Sequence, residues 1–199
     1  MATEQRGGRP RASSRETLAE AASELFLEKG FDETSVADIT TRAGVSRSSF
    51  FNYFSTKSDV LWAGFDERID ALPGALAAGG DDLDVAIRSA VATLVHDLRP
   101  DTLALALAQA DTMRLADELE RDSSVRRSRI AGAVLDHLRG RGVDDLRADV
   151  VAAAYGGAVL AALARWADAG AGRTPLESLL AQALEAVPPV RPSRSIHLS

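Results

Sequence analysis

TSVADITTRAGVSRSSFFNYFSTKSD, residues 34–59, is the stretch on which the fold turns. Ser35-Val-Ala-Asp38 has the spacing of a capping box, in which a hydroxyl and a carboxylate three residues apart satisfy each other's backbone N–H. It predicts a short helix to about Arg42. Ala43-Gly44-Val45 reads as a turn, with Gly44 supplying a positive φ that other residues resist. Ser46 then caps a second helix through about Tyr53. Two short helices about such a turn have helix-turn-helix geometry. Ala43 is small enough to let them approach. Val36, Ile39, Val45 and Phe50 or Phe54 would form the core that holds the second helix rigid enough to enter a DNA major groove.

The same reading extends outward. Upstream, Leu18, Ala21, Ala22, Leu25 and Phe26 recur at helical period within Arg15–Lys29, and Gly30 ends that helix. Downstream, Thr56-Lys-Ser-Asp59 is a second capping box and opens a helix to about Ala71. Leu72, Pro73, Gly74, Gly79 and Gly80 mark a break, which places a domain boundary near 73–80. Further helices are expected at about 82–99, 102–120, 123–140 and 145–169, separated by Pro100 and by glycines. Thr174-Pro175-Leu176-Glu177 has the form of another capped start, for a last helix with Leu176, Leu179, Leu180, Ala183, Leu184 and Val187 on one stripe. The fold class is therefore all-α: an N-terminal three-helix helix-turn-helix domain plus a C-terminal helical bundle, about nine helices in all. The expected division is a disordered arm at 1–12, a DNA-binding domain at 13–72, an effector and dimer domain at 80–187, and a disordered tail at 188–199 rich in proline.

Composition narrows the function. The chain has 199 residues, is 46% apolar and contains no cysteine, so disulfide and thiolate chemistry are out. No uninterrupted apolar run approaches the roughly 20 residues that span a bilayer, and the Arg-rich start lacks the apolar stretch of a signal peptide. The expected compartment is the cytoplasm, with no membrane partner. Net charge is -6, and residues 1–60 carry eight basic and nine acidic side chains, so the front is not basic in bulk. Phosphate affinity depends instead on which face carries the cations.

The ordered set Phe26-Leu-Glu-Lys-Gly-Phe31, Thr34-Ser-Val-Ala-Asp-Ile39, Ala43-Gly-Val-Ser46, Tyr53-Phe54 and Lys57 resembles the N-terminal signature of TetR-family regulators over about residues 14–64. Beyond that, the likeness rests on length and helix count. The resemblance implies a homodimer on a double-stranded DNA operator, released by a small effector. It puts Arg47, Ser48 and Ser49 at the exposed start of the recognition helix, where an Arg can grip a guanine edge and short hydroxyls can reach bases or phosphates. Tyr53 and Lys57 would reach phosphates, as would Thr34 and Ser35. Ser46 is either a cap alone or a cap that also meets phosphate. Arg42 is either a phosphate ligand or a solvated surface residue. Phe51 stands where Tyr is frequent in the family, and without the hydroxyl no DNA contact is assigned to it.

In the second half, a screw of about 100° per residue sorts the faces. His96 falls opposite the apolar stripe of its helix, and with only His137 and His197 besides it in the chain no metal site is expected. If 102–120 is one helix, Arg114 shares a stripe with Leu103, Leu107 and Ala110, where it needs an acidic partner such as Asp111 or Asp117, or a ligand anion. The helix at 145–169 is apolar nearly all round. Tyr155, Val159, Leu163 and Trp166 line one face and Ala153, Gly157, Ala161 and Ala164 the other. The expected effector pocket is Trp62, Leu103, Leu107, Arg114, Tyr155 and Trp166. The expected dimer interface, by resemblance to the last two helices of TetR-like proteins, is Ala153, Gly157, Ala161 and Ala164 with Leu176, Leu180 and Leu184; a purely intramolecular core is the alternative.

No nucleophile–base pair, metal-spaced ligand set or phosphate loop stands out, so an enzyme is disfavoured and no cofactor is expected. The leading expectation is a ligand-responsive repressor. An activator, or a helical ligand-binding or scaffold protein without sequence-specific DNA binding, is the alternative. Ser48-Ser-Phe-Phe-Asn-Tyr-Phe54 with Asp59-Val-Leu-Trp-Ala-Gly-Phe-Asp66 is similar to a TetR branch linked to acyl-CoA-type ligands and mycofactocin loci. An apolar cavity suits an acyl chain, and it suits other small hydrophobic effectors equally.

Overall fold

The computed structural model describes residues 14–190. The expected arm at 1–12 and the tail beyond Val190 lie outside the described residues. Within them are nine helices and no strand: α1 (Ser14–Lys29), α2 (Val36–Ala43), α3 (Arg47–Tyr53), α4 (Asp59–Ala77), α5 (Leu83–Ala92), α6 (Thr102–Ala108), α7 (Ala116–Gly140), α8 (Asp145–Asp168) and α9 (Leu176–Glu185).

Local chemistry builds the front unit as the sequence dictates. The Ser35 hydroxyl accepts the Asp38 N–H while the Asp38 carboxylate accepts the Ser35 N–H, so both bonds of the capping box form. Gly44 sits at φ 68 and its N–H donates to the carbonyls of Thr40 and Thr41, ending α2. The Ser46 hydroxyl accepts the Ser49 N–H and starts α3. Ile39, Phe50 and Phe54 are buried together with Leu18, Ala22, Leu25 and Phe26 of α1, while Val36 and Val45 pack at the edge.

Helix α4 departs from expectation. The reciprocal bonds between Thr56 and Asp59 form, but the helix does not stop before Pro73; it runs on to Ala77 with Pro73 inside it. A proline inside a helix costs about 3 kcal/mol. Leu72 and Leu76, both fully buried, return about 1.5–3 kcal/mol each, and the last turn survives. Of the expected break at 73–80, Pro73 and Gly74 lie within α4, and Gly79 and Gly80 lie between α4 and α5. A Cβ at Gly79 would meet that of Ala86 at 2.6 Å, so the chain can pass α5 only as glycine.

The segment 102–120 is not one helix. It breaks after Ala108, and α7 begins at Ala116, seven residues before the expected start. Met113 and Leu115 are both fully buried, and two residues two apart on a helix point about 200° from each other. Here a turn rather than a helix buries both, and Arg114 between them takes φ 55. Helix α5 is likewise shorter than expected, with Leu94 and Val95 buried in the turn that follows it.

Helix α8 forms at its expected place. By length and composition it could cross a membrane. In the fold it packs instead against α6, α7 and α9, and charged residues occupy both its ends. Its tightest approach is at Gly156, where an added Cβ would lie 2.6 Å from the Arg127 carbonyl of α7. Helix α9 is capped by Pro175 without a side-chain bond, so the expected box at Thr174 does not form; the Glu177 carboxylate accepts the Asp97 N–H instead. Of residues 188–190, expected to be free tail, Pro188 and Pro189 are exposed, but Val190 is buried and its N–H donates to Asp84.

Candidate nucleic-acid interface

Helix α3 presents Arg47, Ser48, Phe51, Asn52 and Tyr53 to solvent and turns Phe50 into the core. Phe50 holds both flanking rings in place, Phe51 edge-on at 5.3 Å between centroids and Phe54 at 5.4 Å. The Arg47 guanidinium lies over the Phe51 ring, 5.7 Å from its centroid. Tyr53 is 49% exposed. The hydroxyls of Ser48 and Ser49 each bond that of Ser46 at 2.8 Å, a cluster of exposed donors at the start of the helix. Ser46 is thus a cap, and its hydroxyl remains at the surface.

Three expected phosphate ligands have other occupations. Thr34 is 1% exposed and its hydroxyl donates to the Gly30 carbonyl at 2.8 Å, which closes the α1–α2 turn, so its side chain cannot reach DNA. The Lys57 ammonium donates to the carbonyls of Phe31 (2.6 Å) and Thr34 (3.0 Å) and lies 3.9 Å from the Phe31 ring centroid. Burial lowers its pKa below that of an ordinary lysine. Lys57 pins α4 to the α1–α2 turn rather than offering a free cation. Arg42 bonds Glu28 with both terminal nitrogens and Glu24 with one, and hydrogen bonding to Glu28, then Glu24, raises its pKa. It clamps α2 on α1. Ser35 stays exposed but shares its hydroxyl with Asp38. The face of α3 open to solvent comprises Arg47, Ser48, Phe51, Asn52 and Tyr53 with Ser49 half-buried beside them, and Ser35 and Ser46 stand exposed at its margin.

The front unit is tied to the rest through α4 and the 109–115 turn. The Phe31 N–H donates to the Met113 carbonyl at 2.8 Å. The Arg126 side chain on α7, 4% exposed as a residue, bonds both Asp66 oxygens on α4 at 3.1 and 2.6 Å. It also lies 3.7 Å from Asp59 and 3.5 Å from Asp122, over the Trp62 ring at 4.8 Å. Arg129 adds bonds to Asp66 and Asp70. Burial pushes the Asp122 carboxyl up against the opposite pull of Arg126.

This buried arginine is what sequence reasoning missed. Arg114 was singled out for lying on an apolar stripe, but it sits exposed in the turn after α6, its stem beside Gly30. Arg126 recurs with Ile130, Val134 and Leu138 every four residues, so the same stripe test applied to α7 finds it. Of the other expected pocket residues, Trp62, Leu103, Tyr155 and Trp166 are buried in one core and Leu107 packs at its edge. The structure brings them into the same cluster. A groove of about 500 Å³ lies elsewhere, between α1, α4 and the start of α6, lined by Arg15, Glu20, Leu61, Gly64, Glu67 and Thr102 among others. The Tyr155 hydroxyl and the Trp62 indole N–H are buried without a hydrogen-bond partner.

The expected interface splits in two. Ala153, Ala161 and Ala164 face solvent on α8, with Leu146 and Val150 extending the exposed stripe, and Gly157 is half-buried with open space where a Cβ would go. Leu176, Leu180 and Leu184 are instead buried within the chain. At the far end, His96, Asp97 and Glu177 come within 4.8 Å of one another. Spacing along the chain hid this trio, but all three are exposed and His96 pairs with Asp97 at 3.3 Å, an ordinary surface arrangement.

A helix-turn-helix with an exposed second helix, set on a helical domain through α4, has the geometry of units that place their second helix in a DNA major groove. Residues 18–63 match the family model of bacterial regulatory proteins of the tetR family, so the front of this chain is similar to the DNA-binding module of that family. Over 88 residues the chain is 34% identical to a Mycobacterium tuberculosis protein named mycofactocin biosynthesis transcriptional regulator MftR, covering 44% of this chain and 42% of that one. Over 68 residues it is 37% identical to the transcriptional activator FasR of Mycolicibacterium smegmatis, covering 34% and 31%. The matches thus span less than half the length of these relatives. The fold as a whole resembles Thermus thermophilus FadR, a TetR-family repressor solved with lauroyl-CoA, at a TM-score of 0.53 and 24% identity over 91% of this chain and 98% of that one.

Proposed function

We infer that this protein is a ligand-responsive transcriptional regulator that binds a near-palindromic operator as a homodimer. The observation that carries this reading is the exposed face of α3, held rigid by Phe50 and Phe54 and joined to the core by α4. One helix of seven residues reads only a few base pairs, so useful specificity needs two copies. The exposed small-residue stripe of α8 is the surface on which they would meet. A regulator of this kind acts in the cytoplasm and has no catalytic role. The relatives named above include both an activator and a repressor, so the sign of regulation is left open.

The effector reading rests on Tyr155 and Trp62. An unpartnered buried donor costs about 1–3 kcal/mol, and a small hydrophobic ligand with an acceptor group, an acyl-CoA-like molecule among them, would relieve it while wedging the core apart. A binding-site selection with the purified protein tests the DNA half. It should return two inverted half-sites about one helical turn, or a multiple, apart; a single asymmetric half-site bound by a monomer would overturn it. Calorimetric titration of lauroyl-CoA into free and operator-bound protein tests the other half. Affinity should be lower on the operator complex by the factor through which the ligand weakens DNA binding. Equal affinities, or no binding, would remove an acyl-CoA as effector.

A further inference from the structure

We propose that Phe51 is a specificity-determining residue, which reads the methyl group of a thymine beside the guanine read by Arg47. The inference rests on the DNA-binding reading above and adds a base to it. Three observations converge on Phe51. It is 49% exposed on the outward face of α3, a large apolar side chain left half in water. Its ring is held edge-on against the buried Phe50 at 5.3 Å, so it is presented in one place rather than left to wander. The Arg47 guanidinium stacks over it, which makes the two side chains one surface.

In a major groove the chemistry that matches this surface is narrow. A guanidinium pairs with the two acceptors on a guanine edge, and the one apolar group on any base edge is the thymine methyl. Arg47 and Phe51 are four residues apart and so share a face of the helix, about 6 Å from each other along its axis. Base pairs repeat every 3.4 Å or so, which sets the guanine and the thymine on neighbouring base pairs or one pair removed. Stacking also limits the rotamers of Arg47 before DNA arrives. Phe51 has no hydroxyl and so offers nothing to a phosphate; its contribution is to base choice rather than to general affinity.

The test uses the full-length protein and the operator returned by selection, with each thymine replaced singly by deoxyuridine. That change deletes one methyl group and leaves every hydrogen-bonding atom in place. Fluorescence anisotropy should show one position in each half-site, next to or one removed from an essential guanine, where the wild type weakens about fourfold, the worth of one buried methyl. Phe51→Ala should bind the unmodified operator less tightly and be indifferent to deoxyuridine at that position, and Phe51→Leu should keep the discrimination in part. Circular dichroism checks that both variants remain folded. A flat deoxyuridine profile in the wild type, or the same profile in Phe51→Ala, overturns the proposal while leaving the regulator reading intact. Failure of the wild type to prefer any sequence over random DNA overturns both.

Discussion

The Tyr155 hydroxyl lies in the core with no partner, and burial pushes its pKa up to about 12. A phenol whose pKa rises on folding contributes stability that is whole below its unfolded value, 10.0, and is lost as pH climbs from there through the folded value. Two consequences follow for Tyr155→Phe. At pH 7 the substitution removes an unsatisfied group and leaves the ring, so urea denaturation should show no loss of stability and a gain of up to about 1 kcal/mol. Between pH 9 and 11 the wild type should lose about 1 kcal/mol that the variant keeps. A variant less stable than wild type at pH 7 would mean that the hydroxyl has a partner after all. The periodicity of the helix at 145–169 placed this residue inside but was silent on the hydroxyl, because a partner supplied by another helix leaves no mark at helical spacing.

At the scale of elements, α4 is held between two anchors, Lys57 at its start and the Arg126–Asp66 cluster at its middle. Removing one member of a buried ion cluster leaves the others uncompensated, at about 3–5 kcal/mol. Arg126→Ala should therefore lower the urea midpoint sharply, whereas Arg129→Ala, on the more exposed side of the same cluster, should cost far less. Equal small effects would show that α4 does not depend on Arg126. How far the sequence foretold the elements divides along the same line. The capping box at Ser35, the Gly44 turn and the start of α3 were legible because each is settled by residues within four positions; the Thr56–Asp59 bonds also form, but in the turn before α4, whose N-cap is Ser58. The break at 109–115, the survival of α4 through Pro73 and the ion cluster are settled by contacts with distant helices, as between Arg126 and Asp66. For Thr34 and Lys57, motif position marks both as near DNA, and the fold adds that the carbonyls of Gly30, Phe31 and Thr34 engage their side chains.

For the whole molecule, the exposed stripe Ala153, Gly157, Ala161 and Ala164 is where two subunits are proposed to meet. A long charged side chain there has room on a lone chain and none between two closely packed helices. Ala161→Arg should yield a folded monomer by native mass spectrometry, with helix content unchanged by circular dichroism and operator affinity down by about tenfold or more, since each half-site alone supplies only part of the discrimination. A variant that stays dimeric would move the interface off α8. The burial of Leu176, Leu180 and Leu184 against their own chain then has a bearing on gene control. With these leucines packed on their own chain, the proposed pairing through α8 would be a separate step whose extent follows the number of copies the cell holds. Below the concentration at which dimers form, operator occupancy would rise with the square of protein abundance, so a modest change in synthesis or turnover could silence or release a promoter with no effector present.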